Sequence, residues 1–378
     1  MAKPVRVLYE IHPHILGGTE RFLARFLERL DRGRYEPVVI SPKCGKPLQM
    51  IRSAGLRTEV MADYFKVTGI ERLVAFIRRN HIGLTQSNYY SSHLAMASNL
   101  ASVPHIWRLG GHLDFGSSVR TRRDTQSALE IIRLLSRSII CNSNYVRSQF
   151  RGSFRTPRIQ VIPNGISAPA RAPQKKRGGD FRIGMVAHFA PQKRHMDFIH
   201  AAEIVCESRD DVSFAIVGSP YADSVSRGYA AQVQRRARSL QRQGKLSISE
   251  FGESESGVLS GFDMVVLPSV CESFSNAILE AMAAGIPVIA ARSGGNSELV
   301  EHRKTGLLTP PMRPEAIARA ILLMIKEPKL IGQMGRAARQ RARTHFPMDE
   351  CVRSYEAVYS KVIFDSSKRQ RSTDFPAR

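Results

Sequence analysis

The stretch that most constrains the fold is residues 264–291, MVVLPSVCESFSNAILEAMAAGIPVIAA. The run MVVL is typical of a buried parallel strand, which Pro268 ends. Ser275 is a good N-cap for a helix of strong helix formers that runs to Ala284, and Gly285 suits the left-handed position just after it. The stretch therefore predicts a strand, a loop, a helix and a second strand, which together form a parallel βαβ crossover.

Two carboxylates interrupt this apolar segment, Glu272 in the loop and Glu280 in the helix. Burying an unpaired carboxylate is costly, so each needs a polar partner. The first backbone amides of the helix, from residue 275 to residue 277, also suit an anion such as a diphosphate. The residues alone leave two readings open, a crossover with Glu280 tied to a structural arginine, or a ligand site.

The same alternation of strands and helices runs through the chain. Residues 5–10, VRVLYE, predict a first strand, and Gly17 and Gly18 then open the amphipathic helix TERFLARFLERL. Further strands are predicted at EPVVIS, GLRTEVMA, GLTQSN, PHIWRL, SIICNS, FRIGMVA, SFAIVG and KLSISEFG. Repeated βα units predict an α/β fold with doubly wound parallel sheets, whose ligands bind beyond the carboxyl ends of the strands.

At 378 residues the chain is long for one domain and comfortable for two. The segment ISAPARAPQKKRGGD has no apolar periodicity, which is typical of an interdomain linker. The predicted division is an N-terminal domain at 1–165, a linker at 166–180, a C-terminal domain at 181–347, a terminal helix at 348–364 and a disordered tail at 365–378.

The formal net charge is +23, from 56 basic and 33 acidic residues, and the basic excess is heavier in the first half. This balance predicts an anionic partner, such as nucleic acid, a phosphorylated glycan or an acidic membrane surface. The alternative is a basic surface that only aids solubility.

Several classes of protein are disfavoured by what the sequence lacks. No long apolar run predicts a membrane span or a signal peptide, and the five scattered cysteines lack CxxC spacing. These features predict a cytoplasmic protein with free thiols and no zinc. The chain has no Asp-x-Asp, no GxxxxGK[ST] and no GxGxxG, which speaks against a bound metal, nucleotide hydrolysis and dinucleotide binding.

ESFSNAILE, with LPS before it and EAMAAGIPVIA after it, resembles the Glu-x7-Glu signature of the retaining GT-B-fold glycosyltransferases, family 4, glycosyl transferases group 1. The GGTE loop with Glu20 resembles that family's GGxE loop, and PNG at 163–165 resembles the point where its chain leaves the first domain. The resemblance implies a GT-B architecture, two Rossmann-like doubly wound domains facing a cleft. The first would meet the acceptor, and the second would bind the nucleotide sugar.

The resemblance also implies roles for individual residues. Glu272 would be catalytic, facing the hydroxyls of the donor sugar, and Glu280 would bind the ribose of the nucleotide. Gly17 and Gly18 would belong to a donor-binding loop in the cleft. Backbone amides would be presented to the sugar or phosphate by Phe274, Ser275 and Asn276.

The diphosphate clamp departs from the family pattern. In the family a strand ends in Gly-Arg, and a lysine follows several residues later. Here the strand ends in Ala187-His188, so His188 stands where the arginine is expected, while Lys193 matches. His188 when protonated, or Arg194, is the candidate to take over the arginine's role.

His112 is the candidate catalytic residue of the first domain. The family usually has a histidine shortly after the strand PHIWRL, but here Gly110 stands in that place and His112 follows two residues later. Arg108 and Asp114 are the next candidates in the same region.

The resemblance predicts transfer with retention at the anomeric carbon, by same-face attack and without a metal or other cofactor. The predicted partners are a UDP- or GDP-linked sugar, a glycan or lipid-linked acceptor, and an anionic membrane surface, with no nucleic acid. This fits a cytoplasmic enzyme, peripheral on the inner face of the membrane, that builds a surface polysaccharide. The alternatives are a non-catalytic glycosyltransferase-like subunit, a basic polyanion or nucleic-acid binder, and phosphorolysis or epimerisation of a sugar on the same scaffold.

Overall fold

A computed structural model describes residues 3–11, 17–62, 64, 67–88, 92–111, 129–150, 158–167, 180–221, 223–251, 258–259 and 261–373. The chain forms two compact units. The first comprises Met1–Gly165 together with Met348–Arg378, and the second comprises Ile166–Pro347. Most of the predicted linker, residues 168–179, lies outside the described residues.

The first unit contains a parallel sheet with the strand order β3-β2-β1-β4-β5-β6-β7. Its strands are β1 Val5–Glu10, β2 Tyr35–Ser41, β3 Arg57–Val60, β4 Ile82–Ser87, β5 His105–Leu109, β6 Ser138–Cys141 and β7 Arg158–Val161. Its first helices are α1 Gly18–Arg29, α2 Lys46–Ser53, α3 Val67–Arg79, α4 Ser92–Leu100 and α5 Asn144–Arg147.

Both faces of this sheet are covered. On β1, Val7 and Tyr9 belong to a buried cluster with α1, whereas Leu8 points the other way into a cluster with α3 and α4. Successive side chains of a strand alternate between its two faces, so a strand covered on both sides favours apolar residues at successive positions. This explains the apolar run from Val7 to Tyr9 in β1.

A long terminal helix, α12 Met348–Thr373, completes the first unit. Its buried residues Tyr355 and Tyr359 pack into the cluster formed by β1 and α1. The predicted end at 364 was wrong, because the helix continues to Thr373 through residues predicted to be disordered. Lys, Arg and Gln are good helix formers, and extending a helix anchored by packing costs far less than starting one. None of the described helices is long and apolar enough to span a membrane.

The second unit contains a parallel sheet with the strand order β10-β9-β8-β11-β12-β13. Its strands are β8 Phe181–Val186, β9 Val212–Val217, β10 Leu246–Ser249, β11 Met264–Leu267, β12 Val288–Ala291 and β13 Gly306–Thr309. Its helices are α6 His195–Cys206, α7 Ser224–Arg242, α8 Asn276–Ala284, α9 Asn296–Leu299, α10 Pro314–Lys326 and α11 Pro328–His345. The two parallel α/β sheets confirm the predicted fold class.

Helix α8 begins and ends where the sequence predicts. The Ser275 hydroxyl caps it by accepting from the Ile278 amide, and Gly285 adopts φ +77° at its end. Ile278, Leu279 and Met282 are buried, and each such side chain contributes about 1.5–3 kcal/mol. The helix is therefore held by both its caps and its packing.

Candidate functional site

The second sheet changes winding direction between β8 and β11. The chain leaves β8 towards β9 and β10, and it leaves β11 in the opposite direction, towards β12 and β13. The loops that follow β8 and β11 therefore diverge at the carboxyl edge and leave a crevice, which is where open parallel sheets bind ligands.

Lys193 and Glu272 meet at this crevice, one from each of the two loops. Lys193 Nζ lies 2.5 Å from Glu272 Oε1, and the two side chains are only 22% and 13% exposed. Burial disfavours the charged lysine, but the charge of Glu272 and its hydrogen bond outweigh burial and raise the pKa of Lys193. The pair is thus a charge-assisted contact in a place largely screened from water.

The loop that carries Glu272 is braced by its backbone. The Val270 amide donates to the Gln192 carbonyl at 2.9 Å, which ties this loop to the loop after β8. Cys271 has φ +63°, an unfavourable conformation for a residue with a side chain. Its amide is held by the Ser293 hydroxyl at 3.1 Å, so the surrounding contacts maintain the turn that aims Glu272.

A glycine pair packs directly against this turn. The Gly295 amide donates to the Glu272 carbonyl at 2.7 Å. A Cβ atom on Gly294 would lie 2.0 Å from that carbonyl oxygen, and one on Gly295 would lie 1.9 Å from the Ser273 carbonyl oxygen. Only glycines allow so close an approach, so the SGGN segment after β12 helps to position Glu272.

His188 sits at the same edge, just after β8. Its Nδ1 lies 2.9 Å from the Ser219 carbonyl, which can only accept, so Nδ1 carries the proton. The ring stacks on Tyr221 at 4.5 Å and meets Phe251 edge-on at 4.8 Å. These contacts fix the ring in one orientation and commit Nδ1 to the Ser219 carbonyl.

Arg194 is engaged elsewhere in this arrangement. Its guanidinium binds the Asp197 carboxylate through two hydrogen bonds of 2.9 and 2.8 Å, within the first turn of α6. Arg194 also adopts φ +60° at the start of that helix. Its predicted contact with the diphosphate would require this bidentate pair to share or give up a donor.

The remaining predicted residues of the second unit cluster at the start of α8. The side chain of Phe274 is buried against Phe346, with ring centroids 5.5 Å apart, so only its backbone is left for a ligand. Ser275 uses its hydroxyl as the helix cap, and Asn276 is the first helical residue. Glu280 lies one turn further on and is partly exposed. The structure thus brings these residues to the edge where Glu272 lies.

The first unit carries the glycine loop at the start of α1. The Gly17 amide donates to Glu20 Oε2 at 2.9 Å, so Glu20 caps its own helix. Gly17 is buried and Gly18 is exposed. Burial, partly offset by hydrogen bonds, raises the pKa of Glu20 to about 7. The sequence matched Glu20 to a motif but missed this capping role, because the cap itself is glycine rather than serine or threonine.

Arg108 lies in the core of the first unit. It is 1% exposed, its Nε donates to the Tyr355 hydroxyl at 3.1 Å, and its Nη2 donates to Asn164 Oδ1 at 2.7 Å. Its guanidinium also lies 4.5 Å from the ring centre of Phe22. Arg108 therefore joins β5, the PNG segment, α12 and α1. His112 and Asp114 lie outside the described residues.

Sequence reasoning missed the residues that hold His188. Ser219 and Tyr221 follow β9, and Phe251 follows β10. These residues could have been found from the sequence, because each follows a predicted strand and the carboxyl ends of neighbouring parallel strands meet at one edge. It also missed His195, whose ring is buried against Phe189 at 4.9 Å and whose pKa burial lowers to about 3.

No group of three or more His, Cys, Asp or Glu side chains suited to a metal ion occurs within the described ranges.

The second unit thus has a largely buried lysine–carboxylate pair beside a helix N-terminus, at the switch point of a parallel sheet. Open α/β sheets bind ligands at such switch points, and helix N-termini favour anions. Two family models match the chain: Glycosyltransferase Family 4 over residues 16–168, and Glycosyl transferases group 1 over residues 167–341. Together the two models span residues 16–341, and the chain belongs to the glycosyltransferases that they describe.

Similar proteins extend this picture. A protein named as an uncharacterized glycosyltransferase of Methanocaldococcus jannaschii is 27% identical over 71% of this chain and 71% of its own length. An Escherichia coli protein named UDP-Gal:alpha-D-GlcNAc-diphosphoundecaprenol alpha-1,3-galactosyltransferase is 26% identical over 54% of this chain and 55% of its own length. Anabaena HepE, solved in complex with UDP and glucose, has a TM-score of 0.82 at 20% identity, covering 94% of this chain and 99% of that one. The last match confirms the GT-B fold.

Proposed function

We propose that the chain is a metal-independent, retaining glycosyltransferase that moves a sugar from a nucleoside diphosphate to a hydroxyl of a glycan or lipid-linked acceptor. The observation that carries this proposal is the Lys193–Glu272 pair, which joins the two loops at the switch point of the second sheet beside the start of α8. The pair supplies the two groups that such a donor needs, a cation for its diphosphate and a carboxylate for its sugar.

The chemistry follows from these charges. The bond between the anomeric carbon and the diphosphate oxygen breaks, and its electron pair leaves with the diphosphate. The acceptor oxygen bonds to the same face of that carbon, and its proton passes to a phosphate oxygen. Lys193 and the first amides of α8 stabilise the charge that develops on the leaving diphosphate. No side chain has to act as a nucleophile.

Glu272 and Glu280 position the donor. Glu272 accepts hydrogen bonds from the sugar hydroxyls while Lys193 holds its other side, and Glu280 accepts hydrogen bonds from the ribose. Because Nδ1 of His188 donates to Ser219, the protonated ring would donate from Nε2 to the diphosphate and so take the place that an arginine has in the family pattern. In the first unit, the Gly17-Gly18 loop is assigned to donor binding and His112 to catalysis.

The partners are inferred from similar proteins. One relative is named for a UDP-galactose donor and a diphosphoundecaprenol-linked acceptor, and one structural neighbour was solved with UDP-glucose. UDP-sugars are therefore the first donors to test here, followed by GDP-sugars. A lipid-linked acceptor fits a cytoplasmic enzyme at the inner face of the membrane that contributes to surface polysaccharide.

The decisive experiment is calorimetric titration with UDP, GDP, ADP and their sugar conjugates in EDTA. We expect saturable binding of one nucleotide, weakened about tenfold or more by Glu280→Ala, because a hydrogen bond to a charged group is worth about 1.5–3 kcal/mol. Glu315→Ala, an exposed residue of α10, is the matched control and should bind like the wild type. Binding of none of these nucleotides, with salt-sensitive binding of nucleic acid that survives Glu272→Gln, would overturn the proposal in favour of a polyanion binder.

The reaction itself is tested on the bound donor. Lys193→Met and Glu272→Gln should each lower kcat by about a hundredfold or more, because each removes a group that acts on developing charge or on the sugar. NMR of the first product formed should show the anomeric configuration of the donor. An inverted product would exclude retention, and activity that needs an added divalent metal would exclude metal independence.

A further inference from the structure

Helix α7, which connects β9 to β10, has one apolar side and one strongly basic side. Val233, Ala237 and Leu240 are buried and recur at the spacing of one helix face. Arg227, Arg235, Arg238 and Arg242 are exposed. The helix contains no aspartate or glutamate.

The four arginines, named here the arginine stripe, lie along one line of the helix. At 100° per residue they fall within an arc of about 80°, opposite the buried side, and from the first to the last the helix rises about 22 Å. Arg235, Arg238 and Arg242 make no ion pair with any residue in the described part of the chain. Arg236 lies outside the arc and pairs with Glu203, so the local carboxylate is already used.

The side chains at the end of the stripe form a groove of about 530 Å³. It is lined by Arg235, Arg236, Arg238, Ser239, Arg242 and Gln243. Each of these side chains ends in a polar group, and four of the six end in a guanidinium. A guanidinium matches a phosphate group with two parallel hydrogen bonds, so the groove suits the phosphate of a headgroup rather than an apolar ligand.

We propose that the arginine stripe docks this protein on an anionic lipid surface. A flat layer of phosphate headgroups can reach all four guanidinium groups at once, because they project along one line from the most exposed side of a helix. The other exposed positions between them are Gly228, Ala231, Gln232, Gln234, Arg236 and Ser239, which offer no aromatic ring on which a nucleic-acid base could stack. Tyr229, the aromatic residue of the helix, is half-buried against His195 at 5.7 Å.

The docking proposal is independent of the proposed reaction, because none of the stripe residues belongs to the Lys193–Glu272 site. It also differs from the expectation raised by composition alone, since the basic excess is heavier in the first half of the chain while the stripe belongs to the second unit. What matters for docking is how charge is concentrated on one side of one element, as at Arg235, Arg238 and Arg242, and net charge does not report it.

The test is co-sedimentation of the full chain with phosphatidylcholine vesicles, with or without phosphatidylglycerol, at low and physiological ionic strength. The wild type should bind the anionic vesicles, bind neutral vesicles weakly, and lose affinity as salt rises. Arg235→Gln/Arg238→Gln/Arg242→Gln should weaken partitioning by about a hundredfold, from roughly fivefold for each arginine near an anionic surface.

The matched control is Arg319→Gln/Arg336→Gln/Arg343→Gln, which removes the same charge from exposed positions on α10 and α11. Its partitioning onto anionic vesicles should fall by less than about threefold, and both variants should keep the thermal unfolding midpoint of the wild type. If partitioning fell equally in the two variants, the effect would come from net charge alone, and the proposal would be overturned. Undiminished binding of the stripe variant would also overturn it, as would stripe-dependent binding of single-stranded RNA without any binding to vesicles.

Discussion

Lys193 and Glu272 are separated by 79 positions in the chain, yet they form one of the shortest ion pairs of the second unit. Each is mostly screened from water, so each depends on the other for the compensation of its charge. Two residues that look like a loop lysine and a loop glutamate in sequence therefore form a single, largely buried ion pair in the structure.

A double-mutant cycle tests this coupling. Lys193→Met and Glu272→Gln should each destabilise the protein by about 1–3 kcal/mol, because each leaves one half-buried charged group without its partner. The double variant should lose less than the sum of the single losses, by about 1–2 kcal/mol. The measurement is urea unfolding of the four proteins.

The control cycle uses Arg353 and Glu350, an ion pair of α12 whose side chains are 65% and 59% exposed. Exposed pairs contribute little, so this cycle should show no measurable coupling. Additive losses at Lys193 and Glu272 would mean that the short distance between them carries no energetic coupling.

At the scale of elements, the site depends on close backbone approaches as much as on side chains. The SGGN segment after β12 lies against the turn that carries Glu272, and α8 is held between its serine cap and a left-handed glycine. A substitution in either element changes the position of Glu272 without touching its carboxylate.

Gly294→Ala should destabilise the protein by about 2–4 kcal/mol and weaken nucleotide binding. The added Cβ would lie 2.0 Å from the Glu272 carbonyl oxygen, and φ at this position is +56°. Thermal unfolding and nucleotide titration measure the two effects. Gly228→Ala in α7 is the matched control, since its Cβ meets no atom within 4 Å, and it should stabilise by about 0.5–1 kcal/mol. Unchanged nucleotide affinity in Gly294→Ala would show that the turn tolerates displacement.

In the first unit, helix α12 is anchored in the core by the buried hydrogen bonds of Tyr359. The Tyr359 hydroxyl donates to Gln86 Oε1 at 2.6 Å and accepts from the Tyr9 hydroxyl at 3.1 Å, in a fully buried position. Tyr359→Phe should cost about 1–3 kcal/mol, because it leaves a buried donor and a buried acceptor without this partner. Tyr359→Ala should cost about 3–5 kcal/mol through the cavity as well.

Chemical denaturation measures both losses. Phe364→Ala, at a position of the same helix that is 58% exposed, should change stability by less than about 0.5 kcal/mol. A loss at Phe364 as large as that at Tyr359 would contradict the assignment of the buried side of α12.

At the scale of the whole molecule, four buried titratable groups among the described residues make stability depend on pH between about pH 3 and 8. Burial raises the pKa of Glu10 to about 8 and that of Glu20 to about 7, and it lowers those of His105 and His195 to about 3. Between pH 4.5 and 7–8 the two carboxyls are protonated in the folded state and ionised in the unfolded state, so stability falls as pH rises. Between pH 6.5 and 3 the two imidazoles are neutral when folded and charged when unfolded, so stability falls as pH decreases.

These opposite slopes cancel between pH 4.5 and 6.5, so we expect a plateau there and a decline on each side. Glu10→Gln should remove part of the alkaline decline, about 1.4 kcal/mol per pH unit for one such group. Unfolding free energies measured from pH 4 to 9 check this. Glu28→Gln, at an exposed position of α1, is the control, and an identical profile for Glu10→Gln and the wild type would contradict the burial of Glu10 as the cause.

What the sequence by itself determined is local. The local patterns predict the strands other than β7 and β13, and Ser275 and Gly285 predict both ends of α8, because caps, propensity and periodicity depend on neighbouring residues. The Glu-x7-Glu pattern likewise indicated which segment carries the candidate site. The extension of α12 escaped prediction, because polar helix formers next to an anchored helix look like a tail in sequence.

Only the tertiary structure decided how distant residues combine. It placed Lys193 against Glu272, held His188 with Ser219, and buried Arg108 between Tyr355 and Asn164. These contacts arise because the strand order of each sheet brings separate loops to one edge and returns α12 to the first core. Strand order is set by long-range packing of both faces of the sheets, and no local pattern of residues encodes it.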